Sequence, residues 1–420
     1  MIYNKLIISI ILFIIFYLIN KLLSNKIIDN FTNNNETFES ALKDSFKIIN
    51  KEKIINYDNK KLSGQIGQTI IFIVINNIDN KEYIILRYAD FKNEYSRHSY
   101  ENIIKYFKYL ENNFIKSNKN YIFDFIGYHG IIDDKVRMWI KLKEYYGRDI
   151  ANKVMPKTYL IPNDYELFMD EYDKNKKYIF KNSFGGARSA IKITKSKDEI
   201  IEIFNENKLK NYNAYDCEDS KCHSKVKYNI IQEFIKPTFL IKKHKIGLRL
   251  YLVIINYNNI YKKLLWKNGF CYFSNEKYID NEDLNNNVVA PISKIKTLIK
   301  DNNFPITYID FKEYCKKNIN NYDIKIKNFE SKITKHLGYI IKSNENDLIY
   351  FNKDNIKKFT IFAFDIEFDN DFNPIIFEGN FYFTRSFSDT VYGIETKKIY
   401  NDIFYEMNLS KTNNYGFFSL

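Results

Sequence analysis

The chain has 420 residues, of which 45% are hydrophobic, and its formal net charge is +13. This composition excludes a disordered chain and leaves room for two or three domains. The lysines are dispersed, and no helix-turn-helix, zinc-finger or RRM signature is present. A solvated basic surface, suited to an acidic partner, is therefore favoured over nucleic-acid binding.

The first predicted element is an apolar segment, residues 6–19 (LIISIILFIIFYLI). It is shorter than the roughly 20 residues that a membrane-spanning helix needs, but Lys5 and Lys21 can extend to the two interfaces. No small-x-small cleavage site follows it, which favours an uncleaved membrane anchor over residues 1–24 rather than a signal peptide. An expendable hydrophobic leader is the alternative. Lysines after the segment predict, by the positive-inside rule, that the body of the protein faces the cytosol.

A polar tether is predicted over residues 25–60, followed by an α/β subdomain over residues 61–155. Alternating and helical hydrophobic patterns in this subdomain predict strands at 69–75, 83–88 and 121–126, and helices at 100–114 and 134–146. Gly147 follows the last helix, a position at which helices commonly stop.

The next region contains a glycine-rich loop between two predicted strands. Helices are predicted at 165–173 and 197–205, and strands at 177–181, 191–194 and 228–235. The loop, residues 182–190 (NSFGGARSA), lacks the strand–loop–helix order of a Walker or dinucleotide site. Glycine backbone can still approach phosphates closely, and Lys181 and Arg188 supply positive charge for a triphosphate. An ordinary β-turn is the alternative.

The strand predicted at 245–255 carries two cations on one face of an otherwise apolar segment. On that face lie Lys245, Gly247 and Arg249. Because burying unpaired cations is unfavourable, the pattern predicts an anionic ligand, or else an edge strand with a solvated face. The elements expected after it are a hairpin at 262–273 turning at Asn268-Gly269, and helices at 292–300 and 310–317.

The four cysteines have no framework spacing, which suggests a reducing compartment. Cys217, Cys222 and His223 could form part of a metal site. They lie in a polar insertion without a second pair of ligands, so a loop without zinc is favoured.

Residues 359–380 predict two adjacent strands joined by the turn sequence DNDFNP. If the hairpin is symmetric about this turn, Asp365 lies across from Glu378, and Ala363 faces Asn380. Carboxylates opposed across a ladder repel each other, and a hard divalent cation between them removes that penalty. The pattern therefore predicts a Mg²⁺ site that also holds substrate phosphates. A solvated hairpin face with scattered acids is the alternative.

Taken in order, these motifs resemble those of the tubulin–tyrosine ligase-like family of the ATP-grasp superfamily, over roughly residues 121–386. Lys181 stands where the family has the lysine that precedes its glycine loop. The sequence GGARSAI, which contains Gly185, Gly186 and Arg188, resembles that loop.

The remaining motifs lie further along the chain. The family hinge, whose backbone holds the adenine edge, is matched by Gln232, Glu233, Phe234 and Ile235. Lys245 and Arg249 match the ends of the KFDLR strand motif, and Lys267 stands for the arginine after the following strand. The metal-binding aspartate and the E-x-N pair are matched by Asp365, Glu378 and Asn380.

The resemblance implies an α+β ATP-grasp fold in which two lobes clasp ATP: a central lobe at 156–236, a C-terminal lobe with the metal site at 237–400, and a tail at 401–420. It also implies an ATP- and Mg²⁺-dependent carboxylate–amine ligase that adds a free amino acid to an acidic protein or peptide through an acyl-phosphate. A tubulin tail is one candidate acceptor. Arg249 is the expected catalytic residue, and the protein is expected to be a monomer.

Two departures from the family pattern bear on activity. Gly247 replaces the aspartate of KFDLR and so affects a ribose contact, and Lys267 keeps a charge but loses the bidentate geometry of arginine. Two alternatives to the protein-modifying ligase follow: a nucleotide- or protein-binding module without turnover, and an ATP-grasp ligase of a small molecule or peptide.

Overall fold

The computed structural model describes residues 38–54, 58–59, 64–65, 68–89, 112, 119–124, 132, 134–183, 191–217, 220–237, 239–257, 260–289, 304–348, 356–381 and 391–420. The predicted membrane anchor at 6–19 and the predicted helices at 100–114 and 292–300 lie outside them. Within the described residues, no helix combines the length and apolar character needed to cross a membrane.

Strands predominate in the first part of the described chain, and helices and strands are interspersed after residue 134. The described residues form the strands β1 (Phe46–Ile54), β2 (Asp58–Asn59), β3 (Gly64–Gln65), β4 (Gln68–Asn76), β5 (Glu82–Ala89), β6 (Asn120–Phe123), β7 (Thr158–Leu160), β8 (Tyr178–Lys181), β9 (Ile191–Thr194), β10 (Ile230–Glu233), β11 (Leu240–Ile241), β12 (His244–Tyr257), β13 (Ile260–Phe273), β14 (Ile356–Phe368), β15 (Pro374–Phe381) and β16 (Phe417–Ser419).

The helices after residue 134 are α1 (Lys135–Tyr146), α2 (Arg148–Val154), α3 (Tyr165–Glu171), α4 (Lys197–Leu209), α5 (Ser220–His223), α6 (Leu284–Asn287), α7 (Tyr308–Asn318), α8 (Tyr322–Ser343), α9 (Glu345–Leu348) and α10 (Val391–Glu406). Residues 38–45 are also helical. The predicted strands at 69–75, 83–88 and 191–194 and the predicted helix at 134–146 correspond to β4, β5, β9 and α1.

The largest sheet has ten strands and is mixed. Its hydrogen-bonded order is β1-β4-β5-β6-β14-β12-β13-β16, with β11 beside β12 and β15 beside β14. Strand β6 is parallel to both β5 and β14, whereas β12 is antiparallel to β13 and β14. This mixed α+β architecture is consistent with the predicted ATP-grasp fold.

Alternation along β12 sends successive side chains into two cores on opposite faces of the sheet. Leu252 packs in a core that contains Trp139 of α1 and the apolar faces of α7 and α8. Its neighbour Val253 packs in a second core with Phe38 and with Phe404 of α10. The strand is therefore buried on both sides, which explains its nearly continuous apolar sequence.

A four-stranded sheet of order β7-β10-β8-β9 forms a smaller lobe. Helices α3 and α4 cover it and bury Phe168 and Phe204. Because β8 and β10 are neighbours, Lys181 lies opposite Ile230, diagonal to Gln232. The lobe thus brings the end of β8 next to the segment predicted as the hinge.

The predicted hairpin at 262–273 is wrong, because these residues lie in one strand, β13, paired with β12. Asn268-Gly269 forms a bulge rather than a turn: Leu250 pairs with Gly269, whereas Leu252 pairs with Leu265. A Cβ at Gly269 would lie 2.4 Å from the carbonyl oxygen of Arg249, so only glycine fits. With β13 and β14 on its two sides, β12 is a central strand, and the edge-strand alternative is also wrong.

Segments near both ends of the described chain belong to the main sheet and its core. Residues 38–54 lie in the region predicted as a tether, yet they supply a helix and β1. Residues 401–420, predicted as a tail, complete α10 and add β16 beside β13. The buried Asp402 carboxylate accepts hydrogen bonds from Trp266 Nε1 at 2.8 Å and from the backbone N–H of Gly416 at 3.1 Å.

Cys217 and Cys222 form a disulfide, which the sequence reasoning did not anticipate. Their sulfur atoms are bonded to each other, so this pair is not a zinc site. The bond also disagrees with the reducing compartment suggested by cysteine usage. Cys271 and Cys315 are buried free thiols.

The bulge in β13 gives a testable prediction. Gly269→Ala should lower the free energy of unfolding by about 1–3 kcal/mol, because the new methyl group overlaps the backbone of β12. Gly338→Ala is the matched control: a Cβ in α8 meets nothing within 4 Å, and the variant should gain about 0.5–1 kcal/mol. Urea unfolding followed by circular dichroism measures both. Equal changes in the free energy of unfolding for the two substitutions would contradict the close approach of residue 269 to the backbone of β12.

Candidate active site

The hairpin of β14 and β15 has the register predicted from the sequence. Asp365 pairs with Glu378, and Ala363 pairs with Asn380. The register then shifts, so that Ile366 pairs with Ile376. The side chain of Phe377 lies beneath the Lys181 ammonium group, which is 4.8 Å from the ring centroid. The hairpin thus carries two opposed carboxylates and an amide at the edge of the smaller lobe.

Arg249 on β12 is the cross-strand partner of Asp365 on β14. Its Nε and Nη2 atoms each donate a hydrogen bond to a separate oxygen of the Asp365 carboxylate, both at 2.7 Å. Burial opposes the guanidinium charge, but Asp365 raises the pKa of Arg249 well above its ordinary value. This bidentate pair holds both side chains in fixed positions.

Lys135, which the sequence reasoning missed, is the partner of Glu378. Its Nζ atom lies 3.0 Å from Glu378 Oε2, and the lysine itself is buried. Burial acts to raise the pKa of Glu378, but Lys135, Arg249 and Lys181 keep it below the ordinary value. A signal was available: Lys135 is the first residue of α1, where the helix dipole disfavours a cation unless an anion lies close to it.

Lys181 ends β8 and is also buried. Its Nζ donates a hydrogen bond to Gln232 Oε1 at 2.9 Å, and Gln232 Nε2 donates to Thr158 Oγ1 at 3.0 Å. Burial, with repulsion from Lys135, lowers the pKa of Lys181 to about 8. Near neutral pH this lysine is therefore charged but poorly compensated, and an added anion would stabilise its charge.

The segment predicted as a hinge begins with the last two residues of β10, Gln232 and Glu233, and continues through Phe234 and Ile235. The N–H groups of Glu233 and Phe234 donate to the carbonyls of Lys157 and Lys177, at 2.9 and 2.8 Å, and so are already used within the lobe. The Phe234 ring lies between two ammonium groups, Lys177 Nζ at 4.6 Å and Lys245 Nζ at 5.0 Å from its centroid. Ile235 is half-buried beside this ring.

The cations on β12 are paired within the protein, contrary to the prediction that they require a ligand. Lys245 Nζ lies 2.8 Å from Glu367 Oε2 and donates to the carbonyl of Asn287 at 3.2 Å. Arg249 is paired with Asp365, as described above. The predicted site residues that come together are Lys181, Gln232, Phe234, Lys245, Arg249, Asp365, Glu378 and Asn380.

Lys267 lies elsewhere on the sheet. Its ammonium group is 5.3 Å from the ring centroid of Phe418, and its backbone N–H donates to Gly416 at 3.1 Å. Its contacts in the described part of the chain are thus with the C-terminal segment. Three other predicted nucleotide ligands, Gly185, Gly186 and Arg188, lie outside the described residues.

A buried polar network lies behind the site. The imidazole of His223 is 3.1 Å from Asp134 Oδ2, and its Nδ1 contacts Asn229 Nδ2 at 2.8 Å. Asp134 caps α1 next to Lys135, and Asn229 Oδ1 accepts from the N–H of Ser183. The network therefore fixes both the start of α1 and the residue that leads into the glycine loop.

The donor set of the hairpin fits a hard divalent cation. Asp365 and Glu378 each keep carboxylate lone pairs beyond those used by their cationic partners. Asn380 Nδ2 is buried without a hydrogen-bond partner among the described residues. Since the oxygen and nitrogen of an amide are interchanged by a flip, this unpaired position suits the carbonyl oxygen as a ligand. Two carboxylates and an amide oxygen are ligands that Mg²⁺ accepts.

Comparison with known families agrees with this geometry. The family model described as "Tubulin-tyrosine ligase family" matches residues 116–408, which is more than two thirds of the chain. The chain belongs to the tubulin-tyrosine ligase family. The resemblance derived from the sequence motifs is thereby confirmed, and membership supports ATP-dependent amide-bond formation as the broad class of reaction.

The ion pair at the hairpin gives a second prediction. Lys135→Met should lower the free energy of unfolding by about 2 kcal/mol at pH 7, because Glu378 loses its nearest counter-ion. The depressed pKa of Glu378 stabilises the parent above the unfolded value of about 4.5, and this contribution is lost as the pH falls through the folded value. The difference between parent and variant should therefore shrink in acid.

Urea unfolding between about pH 3 and pH 7 measures this difference. Lys192→Met removes an exposed ion pair with Glu199 and should change stability little at any pH. If Lys135→Met lowered the free energy of unfolding by the same amount at every pH, then lost packing, and not lost charge, would explain the destabilisation.

Proposed function

We propose that this protein is an ATP-dependent carboxylate–amine ligase that adds an amino acid to an acidic protein or peptide. The observation that carries the proposal is the pairing of Asp365 with Glu378 across the β14–β15 hairpin, with Asn380 beside them and buried cations around them. Membership in the tubulin-tyrosine ligase family supports the same class of reaction.

In this proposal ATP lies between the two sheets. The adenine is held at Gln232–Ile235, and the phosphates extend toward the hairpin. Asp365, Glu378 and Asn380 would hold Mg²⁺, which would supply charge neutralisation for the triphosphate. Lys181 and Arg249 neutralise further phosphate oxygens from positions fixed by Gln232 and Asp365. Arg188, Gly185 and Gly186 of the glycine loop remain proposed nucleotide ligands. Lys267 is left out of the proposed set, because its ammonium group lies over the Phe418 ring of the C-terminal segment.

The reaction we propose has two steps. An oxygen of the acceptor carboxylate attacks the γ-phosphorus, the bond to the β-phosphate oxygen breaks, and ADP leaves with an acyl-phosphate remaining. A neutral amine then attacks the acyl carbon, phosphate leaves with the bonding electrons, and the amine proton passes to phosphate or solvent. Positioning and charge stabilisation supply most of the acceleration in such a reaction. Arg249 is the proposed catalytic residue, since its charge is held in a fixed position by Asp365 and is only partly exposed.

The acceptor and the amino acid are proposed only as chemical classes. A net charge of +13 favours an acidic acceptor, of which a tubulin tail is one example.

The competing proposal is a nucleotide- or protein-binding module without turnover, and Gly247 is the feature that favours it. An ATP-grasp ligase of a small molecule or peptide is a third. Mass spectrometry of acidic peptides incubated with the protein, Mg²⁺-ATP and mixed amino acids tests the first proposal. Phosphate release in the presence of an acceptor separates both ligases from the module without turnover.

The metal assignment gives a third prediction. Glu378→Gln should lower ATP turnover by more than about a hundredfold, because a neutral amide replaces a carboxylate ligand. Glu144→Gln, at an exposed position of α1, is the control and should retain full turnover. Phosphate release measures the effect, and circular dichroism checks that each variant is folded. Turnover of Glu378→Gln within a few-fold of the parent would refute the assignment.

The fourth prediction concerns pH. Because the pKa of Lys181 is about 8 and a bound phosphate favours its charged form, ATP binding should take up a proton above that pH. ATP affinity should then fall by up to about tenfold per pH unit above pH 8. Lys181→Met should bind ATP more weakly than the parent, and its ATP affinity should change less with pH.

Calorimetry in two buffers with different ionisation enthalpies measures the proton uptake directly. Lys192→Met, which removes an exposed lysine, should keep the profile of the parent. Proton uptake that persists in Lys181→Met would show that another group titrates.

A further inference from the structure

The Glu367 carboxylate is not used by the proposed metal set. It lies on β14 two residues after Asp365, so the two side chains share a face of the sheet. Its side chain is 14% exposed, and Lys245 Nζ holds it at 2.8 Å. A carboxylate needs only part of its hydrogen-bonding capacity for one ammonium group, which leaves acceptor positions open to the site.

The position across the ladder from Glu367 has no side chain. Leu248 pairs with Ile366 in antiparallel register, which sets Gly247 opposite Glu367. A Cβ built at Gly247 would meet Ile366 O and Val289 Cγ1 at 3.5 Å, which is ordinary contact, so the backbone does not require glycine here. Gly247 therefore adds no charged or hydrogen-bonding side chain on this face of β12, and Glu367 is the acid that lies beside Lys245.

Glu367 lies between the two ends of the proposed nucleotide site. On one side Lys245, the partner of Glu367, is 5.0 Å from the Phe234 ring of the hinge. On the other side Asp365 begins the metal set. A nucleoside triphosphate with its base at the hinge and its phosphates at the hairpin must bring its sugar past Glu367.

We propose that Glu367 binds the ribose hydroxyls of the nucleotide, and that it does so from β14 because β12 carries no carboxylate at Gly247. This inference rests on the proposed function. An ionised carboxylate can accept hydrogen bonds from both hydroxyls of a vicinal diol, and such charge-assisted bonds are the stronger kind. Lys245 positions the carboxylate and neutralises it, so that an added sugar does not meet an uncompensated charge.

The test measures the affinities of the full chain for ATP, 2′-deoxy-ATP and 3′-deoxy-ATP in Mg²⁺. The parent should prefer ATP over each deoxy analogue by about tenfold or more. Glu367→Gln should reduce this preference to about twofold or less, with the same Mg²⁺ requirement. The double variant Gly247→Asp/Glu367→Gln, which moves the carboxylate to β12, should recover much of the preference. Glu144→Gln should behave like the parent.

Glu367→Asp covers the case in which Glu367→Gln does not fold. It keeps the negative charge near Lys245 and only shortens the side chain by one methylene group. This variant should lose most of the preference for ATP over the two deoxy analogues, while its melting temperature stays near that of the parent. An unchanged preference in a folded variant that still binds ATP would show that Glu367 only neutralises Lys245.

Two further outcomes would also overturn the inference. A changed Mg²⁺ requirement in Glu367→Gln would make the residue a metal ligand instead. A parent that binds ATP and both deoxy analogues equally would refute the ribose contact and leave the proposed function standing. A parent that binds no nucleotide would refute both.

Discussion

The repulsion between Asp365 and Glu378 is the constraint around which the site is arranged. Two acids opposed on a ladder destabilise it unless positive charge lies nearby. Arg249 reaches Asp365 from the neighbouring strand, and Lys135 reaches Glu378 from the start of α1. Two separate elements, β12 and α1, thus converge on the hairpin. Lys181 is the least compensated cation of the group, which is why its pKa is lowered while that of Arg249 is raised.

The same arrangement explains the shape of β12. Residues 250–255 of this strand are buried on both faces of the sheet, which explains their hydrophobic sequence LYLVII. In its first half, the face that bears Lys245 and Arg249 turns toward the smaller lobe, and there each cation pairs with an acid on β14. One strand therefore contributes to the core at one end and to the candidate site at the other. A single shift in register would move these charges into the apolar core, so the hydrophobic pattern fixes the register strongly.

Local patterns predicted much of this from the sequence. The pairings of Asp365 with Glu378 and of Ala363 with Asn380 were predicted correctly, and β4, β5 and α1 followed from their periodicity. The assumed symmetry about DNDFNP was wrong next to the turn, where Phe368 pairs with Pro374, and a register shift before Glu378 restores the predicted pairs. Prediction failed where a distant contact decides the outcome. Asn268-Gly269 has the composition of a turn, but β12 lies against it and makes it a bulge. Lys135 could not be placed in the site because only the folded chain brings α1 to β15. Helix α8 was missed although Ile326, Phe329, Ile333 and Leu337 recur at helical spacing, because its polar residues outnumber them.

The strand order has a practical consequence for making a shorter protein. The stretch that matches the family model, 116–408, contains β6 and β13 but lacks the neighbours β5 and β16 that cover them in the sheet. Cutting at those limits would uncover two rows of unpaired N–H and C=O groups and would remove the part of a hydrophobic core that includes Phe38 and Phe72. The boundary of sequence similarity is therefore not a boundary of independent folding, and a trimmed fragment should keep residue 38 through the C-terminus to remain free of aggregation.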